Sequence, residues 1–334
     1  MVYFIGVGNQ KGGVGKTLTA IQLSAALAKK GRRVTLIDGD PGAHVTRGLK
    51  WSVNSEIAAR QERGLPITPE LEQWLAWEVE ASAQAAKENR QPAPLELLRV
   101  EEPTLFKALV PEALGKREAP VQPAQLVRVL PFEGFRLIPC NEECANLEQW
   151  LHNARRNREG RLRDFIEQFK KQFPDEDYVV CDSPPNLGPI TDNVLACCVV
   201  GEGGLLVLVE ADSTSVNALE TLFEQIDTLE PVLQKKINIL GILPNKLEDS
   251  GLTTRILTSM KSELISADGD GYVTPIEIRK RVVLKEAYDN GVSIFNYSPE
   301  DRHKTKQILE VQEWYLQIAD HIEQLVVDGK VKTL

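Results

Sequence analysis

The spacing of apolar residues changes twice near the N-terminus, and these changes predict a strand, a helix and a second strand. Apolar side chains dominate residues 2–8 and 33–37, which are short runs typical of buried strands. Between the two runs, Leu23 and Leu27 lie on one face of a helical pattern that covers residues 16–30. Two strands joined by a helix are expected to lie parallel in one sheet.

The second half of the chain repeats this alternation. Further strands are predicted at residues 135–139, 178–182, 205–209 and 237–243. The last two precede segments with helical periodicity, at residues 216–229 and 252–264. We therefore predict an α/β fold, with a mostly parallel, twisted sheet and helices on both of its faces.

The last periodic segment, residues 307–327, predicts an amphipathic helix. Ile308 and Ile322 belong to its apolar face, whereas Glu313 and Asp320 belong to its polar face. A helix that lies on a membrane surface carries lysine and arginine on its polar face. We therefore predict that this helix docks on the protein core and that the chain has no membrane partner.

Residues 51–102 interrupt the strand–helix alternation. They are charged, rich in Ala, Glu and Gln, and broken by prolines, and a helix is predicted at residues 69–89. We predict a single domain over residues 1–334 that carries a helical insertion at residues 51–102. The tryptophans of the insertion either attach it to the parent domain or form a surface for a partner.

Composition limits the class of protein. A hydrophobic content of 42% in 334 residues can supply a large core, and a net charge of −9 argues against nucleic-acid binding over the whole surface. A local basic patch remains compatible with that charge. Five cysteines without framework spacing, and an N-terminus that opens directly into a strand, predict a cytoplasmic protein.

A glycine-rich loop connects the first predicted strand to the first predicted helix. It reads Gly8-Asn9-Gln10-Lys11-Gly12-Gly13-Val14-Gly15-Lys16-Thr17. Backbone N–H groups of such a loop bind phosphate oxygens, Lys16 can reach the β- and γ-phosphates, and the Thr17 hydroxyl can bind Mg²⁺. The predicted nucleotide-binding residues of the loop are Lys11, Gly12, Gly13, Val14, Gly15, Lys16, Thr17 and Leu18.

Carboxylates follow two of the predicted strands. Asp38 and Asp40 end the second strand of the chain, and Asp182 ends the strand at residues 178–182. The carboxyl ends of parallel strands face the ligand crevice of an open α/β sheet. We therefore predict that Thr17, Asp40 and Asp182 hold Mg²⁺, partly through water.

The loop resembles the deviant Walker A motif of the ParA/MinD ATPases, and Gln10 makes it more similar to the ParA (Soj-like) branch. The resemblance implies catalytic roles for Lys11, Lys16 and Asp40. In that family the lysine at the position of Lys11 reaches across a dimer interface to the partner's nucleotide, and the aspartate at the position of Asp40 helps to position the attacking water. Gly42 and His44 depart from the glutamine and asparagine that the family usually has after this aspartate.

Asp182-Ser183-Pro184-Pro185-Asn186-Leu187-Gly188 resembles the Walker B and switch II segment of the same family. By the same resemblance, the segment that contains Pro275 packs on adenine. Asn245, at a strand end, either faces the adenine or forms a turn. Arg279, Lys280 and Arg281 lie near the DNA-contacting region of the family and are the predicted DNA contacts, with the arginine-rich residues 155–163 as the second candidate.

The resemblance implies an ATPase with ATP and Mg²⁺ as cofactors. It implies an ATP-dependent homodimer that binds DNA without sequence preference, associates with the nucleoid, and hydrolyses ATP when a ParB-like or other adaptor stimulates it. The cargo is a plasmid, a chromosome or a protein assembly, so MinD-like and McdA-like positioning ATPases are alternatives. An iron–sulfur electron-transfer protein with this loop, or a scaffold with a degenerate ATP site, is a further alternative.

Overall fold

The computed structural model describes residues 2–51, 53–67, 69–88, 105–110, 121–130, 133–140, 144, 146–154, 157–265, 271–299, 301–330 and 332–333. Its strands are β1 (Tyr3–Gly8), β2 (Val34–Asp38), β3 (Arg128–Val129), β4 (Arg136–Ile138), β5 (Tyr178–Asp182), β6 (Gly203–Val209) and β7 (Ile239–Pro244). The predicted strands are all present, with bounds that differ by a few residues.

Helices connect these strands. The N-terminal half contains α1 (Lys16–Lys29), α2 (His44–Gly48), α3 (Val53–Glu62), α4 (Pro69–Lys87), α5 (Leu105–Leu109), α6 (Pro123–Leu126) and α7 (Leu147–Asn153). The C-terminal half contains α8 (Arg161–Gln172), α9 (Pro189–Cys197), α10 (Ser213–Leu233), α11 (Gly251–Glu263), α12 (Val282–Asp289) and α13 (Thr305–Asp328).

The described strands form one seven-stranded sheet in the order β3-β4-β2-β5-β1-β6-β7. Every pair of neighbours is parallel except β3 and β4 at one edge. The loop after β1 therefore lies between the ends of β5 and β6, because these are the two neighbours of β1. This order confirms the predicted α/β fold and brings distant strand ends to one ligand crevice.

The core lies on both faces of the sheet because successive side chains of a strand point to opposite faces. Phe4, Val179 and Leu205 pack on one face, whereas Ile5 and Val180 pack on the other. Helix α13 packs against α1 on the second face, as predicted for a core-docking helix. Among the described residues, no helix is long and apolar enough to cross a membrane.

The first part of the predicted insertion contacts the rest of the chain. The Trp51 indole is buried, donates its N–H to Glu56 over 3.0 Å and lies under the guanidinium of Arg128, 5.4 Å from its ring centroid. Arg63 donates to the main-chain oxygen of Leu130 over 2.9 Å. These contacts favour attachment over a partner surface for this part, whereas residues 89–102 and the side chain of Trp74 lie outside the described residues.

The five cysteines are all buried free thiols. Cys181 is the fourth residue of the central strand β5, Cys197 is the last residue of the buried helix α9, and Cys198 follows it directly. A cluster shared by two subunits needs cysteines at a surface that the partner can reach. The burial of these thiols therefore argues against the iron–sulfur alternative.

Candidate nucleotide-binding site

The loop after β1 has a backbone that only glycine adopts readily. Gly13 and Gly15 have φ angles of +83° and +92°. A Cβ on Gly15 would lie 2.6 Å from Nδ2 of Asn245, which donates to the Val14 main-chain oxygen over 2.7 Å. Asn245, at the end of β7, therefore holds the loop in shape through this contact.

Lys16 begins α1 and points back under the loop. Its side chain is buried, and its ammonium donates to the Lys11 main-chain oxygen over 3.1 Å. Burial lowers the pKa of Lys16, although the carboxylates of Asp182 and Asp40 act in the opposite direction. A largely desolvated ammonium at a loop of N–H donors is well placed to receive a phosphate group.

Thr17 and Asp182 meet at the junction of α1 and β5. The Thr17 hydroxyl donates to Oδ2 of Asp182 over 2.7 Å. Oδ1 of Asp182 is buried and has no hydrogen-bond partner among the described residues. Burial and the charge of Asp38 raise the pKa of Asp182 well above its usual range. A buried carboxylate oxygen without a donor, beside a threonine hydroxyl, fits a hydrated Mg²⁺.

The two aspartates that follow β2 occupy different environments. Oδ2 of Asp38 accepts hydrogen bonds from the main-chain N–H and the hydroxyl of Thr46, at 2.8 and 2.6 Å. Burial raises the pKa of Asp38 to about 7. Asp40 accepts from the Gly42 N–H over 2.8 Å and lines a cavity in front of the loop. Asp38 thus anchors α2, whereas Asp40 faces the space where a ligand can bind.

Lys11 is held by carboxylates of its own chain. Its ammonium contacts Oδ2 of Asp212 at 2.5 Å and Oε2 of Glu210 at 3.2 Å, just after β6. The hydrogen bond that the Lys11 ammonium donates to Asp212 is the main cause of the raised pKa of Lys11. Asp212 also caps α10 by accepting from the Ser215 N–H over 2.8 Å. The Lys11 side chain is therefore restrained in the single chain.

Two cavities flank the loop. The smaller has a volume of about 410 Å³ and is lined by Gly12, Gly13, Gly15, Lys16, Thr17, Leu18, Asp40, His44, Pro185, Lys246, Lys285, Tyr288 and Asp289. The larger, of about 590 Å³, is lined by Gly15, Leu18, residues 210–212, residues 245–248, Thr253, residues 279–282, Leu284, Lys285 and Tyr315. The first contains most of the loop residues predicted to bind phosphate, and the second has the volume and apolar content of a small-molecule site.

The structure does not bring Pro275 to either cavity. Val273 pairs with Ile242 in β7, so Pro275 lies level with the strand rather than beyond its end, and it is exposed. Arg279 pairs with Leu247 past the end of β7 and does line the larger cavity. The predicted contact of Pro275 with the base therefore stays a prediction without a cavity residue to support it, whereas Asn245 does line the larger cavity.

The three basic residues predicted to contact DNA are each paired with a carboxylate. Arg279 pairs with Asp249, and Lys280 pairs with Glu248 at 2.8 Å. Arg281 pairs with Glu310 at 2.9 Å, and its guanidinium lies 5.3 Å from the ring centroid of Trp314. The structure thus brings the three residues together at the rim of the larger cavity, but their charge is largely balanced in the single chain.

The second basic candidate lies elsewhere. Arg163, in α8, pairs with Glu202 at 2.9 Å, and Arg158 pairs with Glu159 at 2.8 Å. Glu202 immediately precedes β6, so the Arg163 guanidinium lies at the end of the strands opposite to the loop after β1. Arg155 and Arg156 lie outside the described residues.

Several cavity residues were not predicted as site residues from the sequence. Lys246, Lys285, Tyr288 and Tyr315 all line a cavity beside the loop. Lys246 was identifiable, because it follows a strand end directly. The other three lie on helices of the C-terminal part, and the spacing of Lys285 and Tyr288 places them on one helix face without indicating what that face covers.

Comparisons with known proteins agree with the family resemblance of the sequence. A family model described as an AAA domain matches residues 2–239. The chromosome-partitioning ATPase Soj of Thermus thermophilus is 27% identical over 295 residues, which cover 88% of this chain and 88% of that protein.

Solved structures agree in fold. Apo McdA of Cyanothece aligns with a TM-score of 0.64 and 20% identity over 97% of this chain and 99% of its own. Cobyrinic acid a,c-diamide synthase of Mycobacterium smegmatis, solved with an ATP analogue and magnesium, aligns with a TM-score of 0.63 and 20% identity over 100% of both chains.

Proposed function

Since the chain belongs to the AAA domain family and is a Soj-like member of the ParA/MinD superfamily, we propose that it binds and hydrolyses ATP with Mg²⁺. One observation carries the proposal. The buried ammonium of Lys16 and the contact between Thr17 and the buried Asp182 lie together at the end of the glycine-rich loop. This arrangement offers a counter-charge to phosphate and two oxygen ligands to a cation.

Each residue has a defined part in this proposal. The N–H groups of residues 12–18 and the ammonium of Lys16 bind the phosphates, and Thr17 and Asp182 hold Mg²⁺, partly through water. When bound there, Mg²⁺ would neutralise part of the phosphate charge. Asp40, at the edge of the phosphate cavity, accepts a hydrogen bond from the attacking water and orients it.

The dimer in this proposal depends on Lys11. To reach the nucleotide of a second copy, the Lys11 ammonium has to leave Asp212 and Glu210, which hold it in the single chain. A triphosphate on the second copy supplies more negative charge than this carboxylate pair, so it can compete for the ammonium. ATP would thus favour the homodimer by offering Lys11 a new partner.

DNA binding is the next step of the proposed cycle. Arg279, Lys280 and Arg281 would contact phosphates, and the dimer would place two such segments on one assembly. Exposed ion pairs are worth only about 0–1 kcal/mol each, so the DNA backbone can displace the three carboxylates that now pair with them. The protein would then act in the cytoplasm on the nucleoid, where a ParB-like or other adaptor stimulates hydrolysis.

The ATP site is tested by Lys16→Ala. Loss of the main counter-charge to the phosphates should abolish ATP binding measured by calorimetry. Lys30→Ala is the matched control, because Lys30 is also a basic residue near α1 but pairs with Glu323 far from the loop. Unchanged ATP affinity in Lys16→Ala would contradict the assignment of the loop.

The DNA step is tested by replacing Arg279, Lys280 and Arg281 together with alanine. Six phosphate contacts in a dimer would give a slope of about −5 when the logarithm of the DNA association constant is plotted against that of the salt concentration. The triple variant should lose most of this slope while keeping its ATP affinity. Duplex DNA binding is measured by fluorescence anisotropy, with ATP and Mg²⁺, from low to physiological salt.

The control for the DNA experiment is the double variant Lys30→Ala/Arg32→Ala. It removes basic residues that are also paired with a carboxylate, that of Glu323, but lie on another surface. The control should bind DNA as the wild type does. If the triple variant also binds as the wild type does, the contacts lie elsewhere, and residues 157–163 become the next candidates. If the wild type binds no DNA at low salt, the DNA step is wrong.

A further inference from the structure

One face of helix α12 lines the smaller of the two cavities beside the loop. Lys285, Tyr288 and Asp289 are spaced three and four residues apart, which places them on the same side of the helix. All three line the cavity formed by the glycines of the loop, Lys16 and Thr17. Lys285 also lines the larger cavity, so its side chain lies where the two cavities meet.

Lys285 differs from its basic neighbours because each of them lies beside a carboxylate. Lys11 pairs with Asp212, Lys246 lies 3.7 Å from a carboxylate oxygen of Glu210, and the basic residues at 279–281 pair with acidic residues. Lys285 is exposed, and within the part of the chain that the structure describes it has no ion pair or hydrogen bond of its side chain. Its ammonium can therefore bind an anion in this cavity without first leaving a carboxylate.

The helix that carries Lys285 is fixed to the segment after Asp40. The Tyr288 hydroxyl donates to the His44 main-chain oxygen over 2.6 Å, and Lys50 donates to the Asp289 main-chain oxygen over 2.6 Å. A Cβ on Gly48 would lie 2.0 Å from the Tyr288 ring, so a glycine is needed for this close approach. The backbone of α12 is thus held at a defined position relative to Asp40.

We propose that Lys285 binds the terminal phosphate of a nucleoside triphosphate and makes the site discriminate a triphosphate from a diphosphate. The inference rests on the proposed nucleotide site and adds a residue to it. Asp40 and Thr17, which the proposed function places beside the attacking water and the cation, line the same cavity as Lys285. A lysine that contacts only that phosphate stabilises ATP and leaves ADP unaffected.

The test compares ATP and ADP affinities of the full chain with Mg²⁺, measured by calorimetry. Lys285→Ala should weaken ATP binding about tenfold and change ADP binding less than about twofold, because only ATP carries the phosphate that the ammonium contacts. Lys285→Arg keeps the charge and should stay within about threefold of the wild type for ATP. Lys306→Ala, which removes an exposed lysine outside both cavities, should bind both nucleotides as the wild type does.

The outcomes separate this inference from the proposed function. If the wild type binds both nucleotides and Lys285→Ala binds ATP unchanged, the inference is wrong while the nucleotide site stands. If Lys285→Ala weakens ATP and ADP equally, Lys285 contacts a part that the two nucleotides share, and the discrimination is also wrong. If the wild type binds neither nucleotide, the proposed function itself fails.

Discussion

Asp38 should make the stability of the nucleotide-free protein depend on pH. Burial raises its pKa from 3.8 to about 7, a shift of about 3 units, which corresponds to about 4 kcal/mol between its protonated and ionised forms. The folded state binds this proton more tightly than the unfolded state does. The stabilisation is therefore full below pH 3.8 and is lost as the pH rises through 7.

The variant Asp38→Asn isolates this effect. From the same pKa, the wild type should lose about 1.4 kcal/mol of unfolding free energy between pH 6 and pH 8 through Asp38 alone. An asparagine oxygen can still accept the two hydrogen bonds from Thr46, but it carries no charge. The variant should therefore lack this part of the pH dependence and be more stable than the wild type at pH 8.

The assay is urea unfolding without nucleotide at several pH values from 6 to 8.5, followed by circular dichroism. Subtracting the unfolding free energy of the wild type from that of the variant removes the contribution of other titrating groups. Asp182 is an exception, because its raised pKa depends partly on the charge of Asp38. Asp175→Asn, on an exposed aspartate, should change the unfolding free energy by less than about 0.5 kcal/mol at every pH. A pH-independent difference between Asp38→Asn and the wild type would refute the reasoning.

Two further predictions concern the catalytic cycle. Asp40→Ala should bind ATP but hydrolyse it at least about tenfold more slowly, because the attacking water loses its hydrogen-bond acceptor. Phosphate release in single-turnover reactions measures the rate, and a wild-type rate would mean that another residue orients the water. Asp212→Asn should weaken the hold on Lys11, so that the ATP-dependent dimer forms at a lower protein concentration than in the wild type. Analytical ultracentrifugation measures the dissociation constant of the dimer. A weaker dimer would mean that Asp212 acts in the dimer itself rather than as a restraint in the single chain.

The chemistry at strand ends could be predicted from the sequence. A glycine-rich loop between a strand and a helix has few possible conformations, and the carboxyl ends of parallel strands lie at one edge of the sheet. The sequence alone therefore predicts Lys16, Thr17 and Asp182 in one site. The structure places Thr17 and Asp182 within 2.7 Å of each other. These assignments needed only local pattern and the direction of the strands.

Contacts between distant segments could not be predicted in the same way. The acidic partners of Lys11 lie 199 and 201 residues away in the chain, and that of Arg281 lies 29 residues away. The position of Pro275 depended on the register of its segment along β7, and a periodic pattern does not specify register at the edge of a sheet. The sequence therefore indicated which residues carry charge but not which charges are already paired.

We expect the acidic residues beside the loop to oppose the binding of a nucleotide. Asp38, Asp40 and Asp182 lie close enough for their charges to act on one another, and they would repel a nucleotide that arrived without a cation. In the proposed function Mg²⁺ would remove this repulsion, because it would neutralise phosphate charge and offer a partner to the buried Oδ1 of Asp182. Lys16 alone cannot balance a triphosphate together with those carboxylates that are ionised. We therefore expect the metal to matter as much for binding the nucleotide as for its hydrolysis.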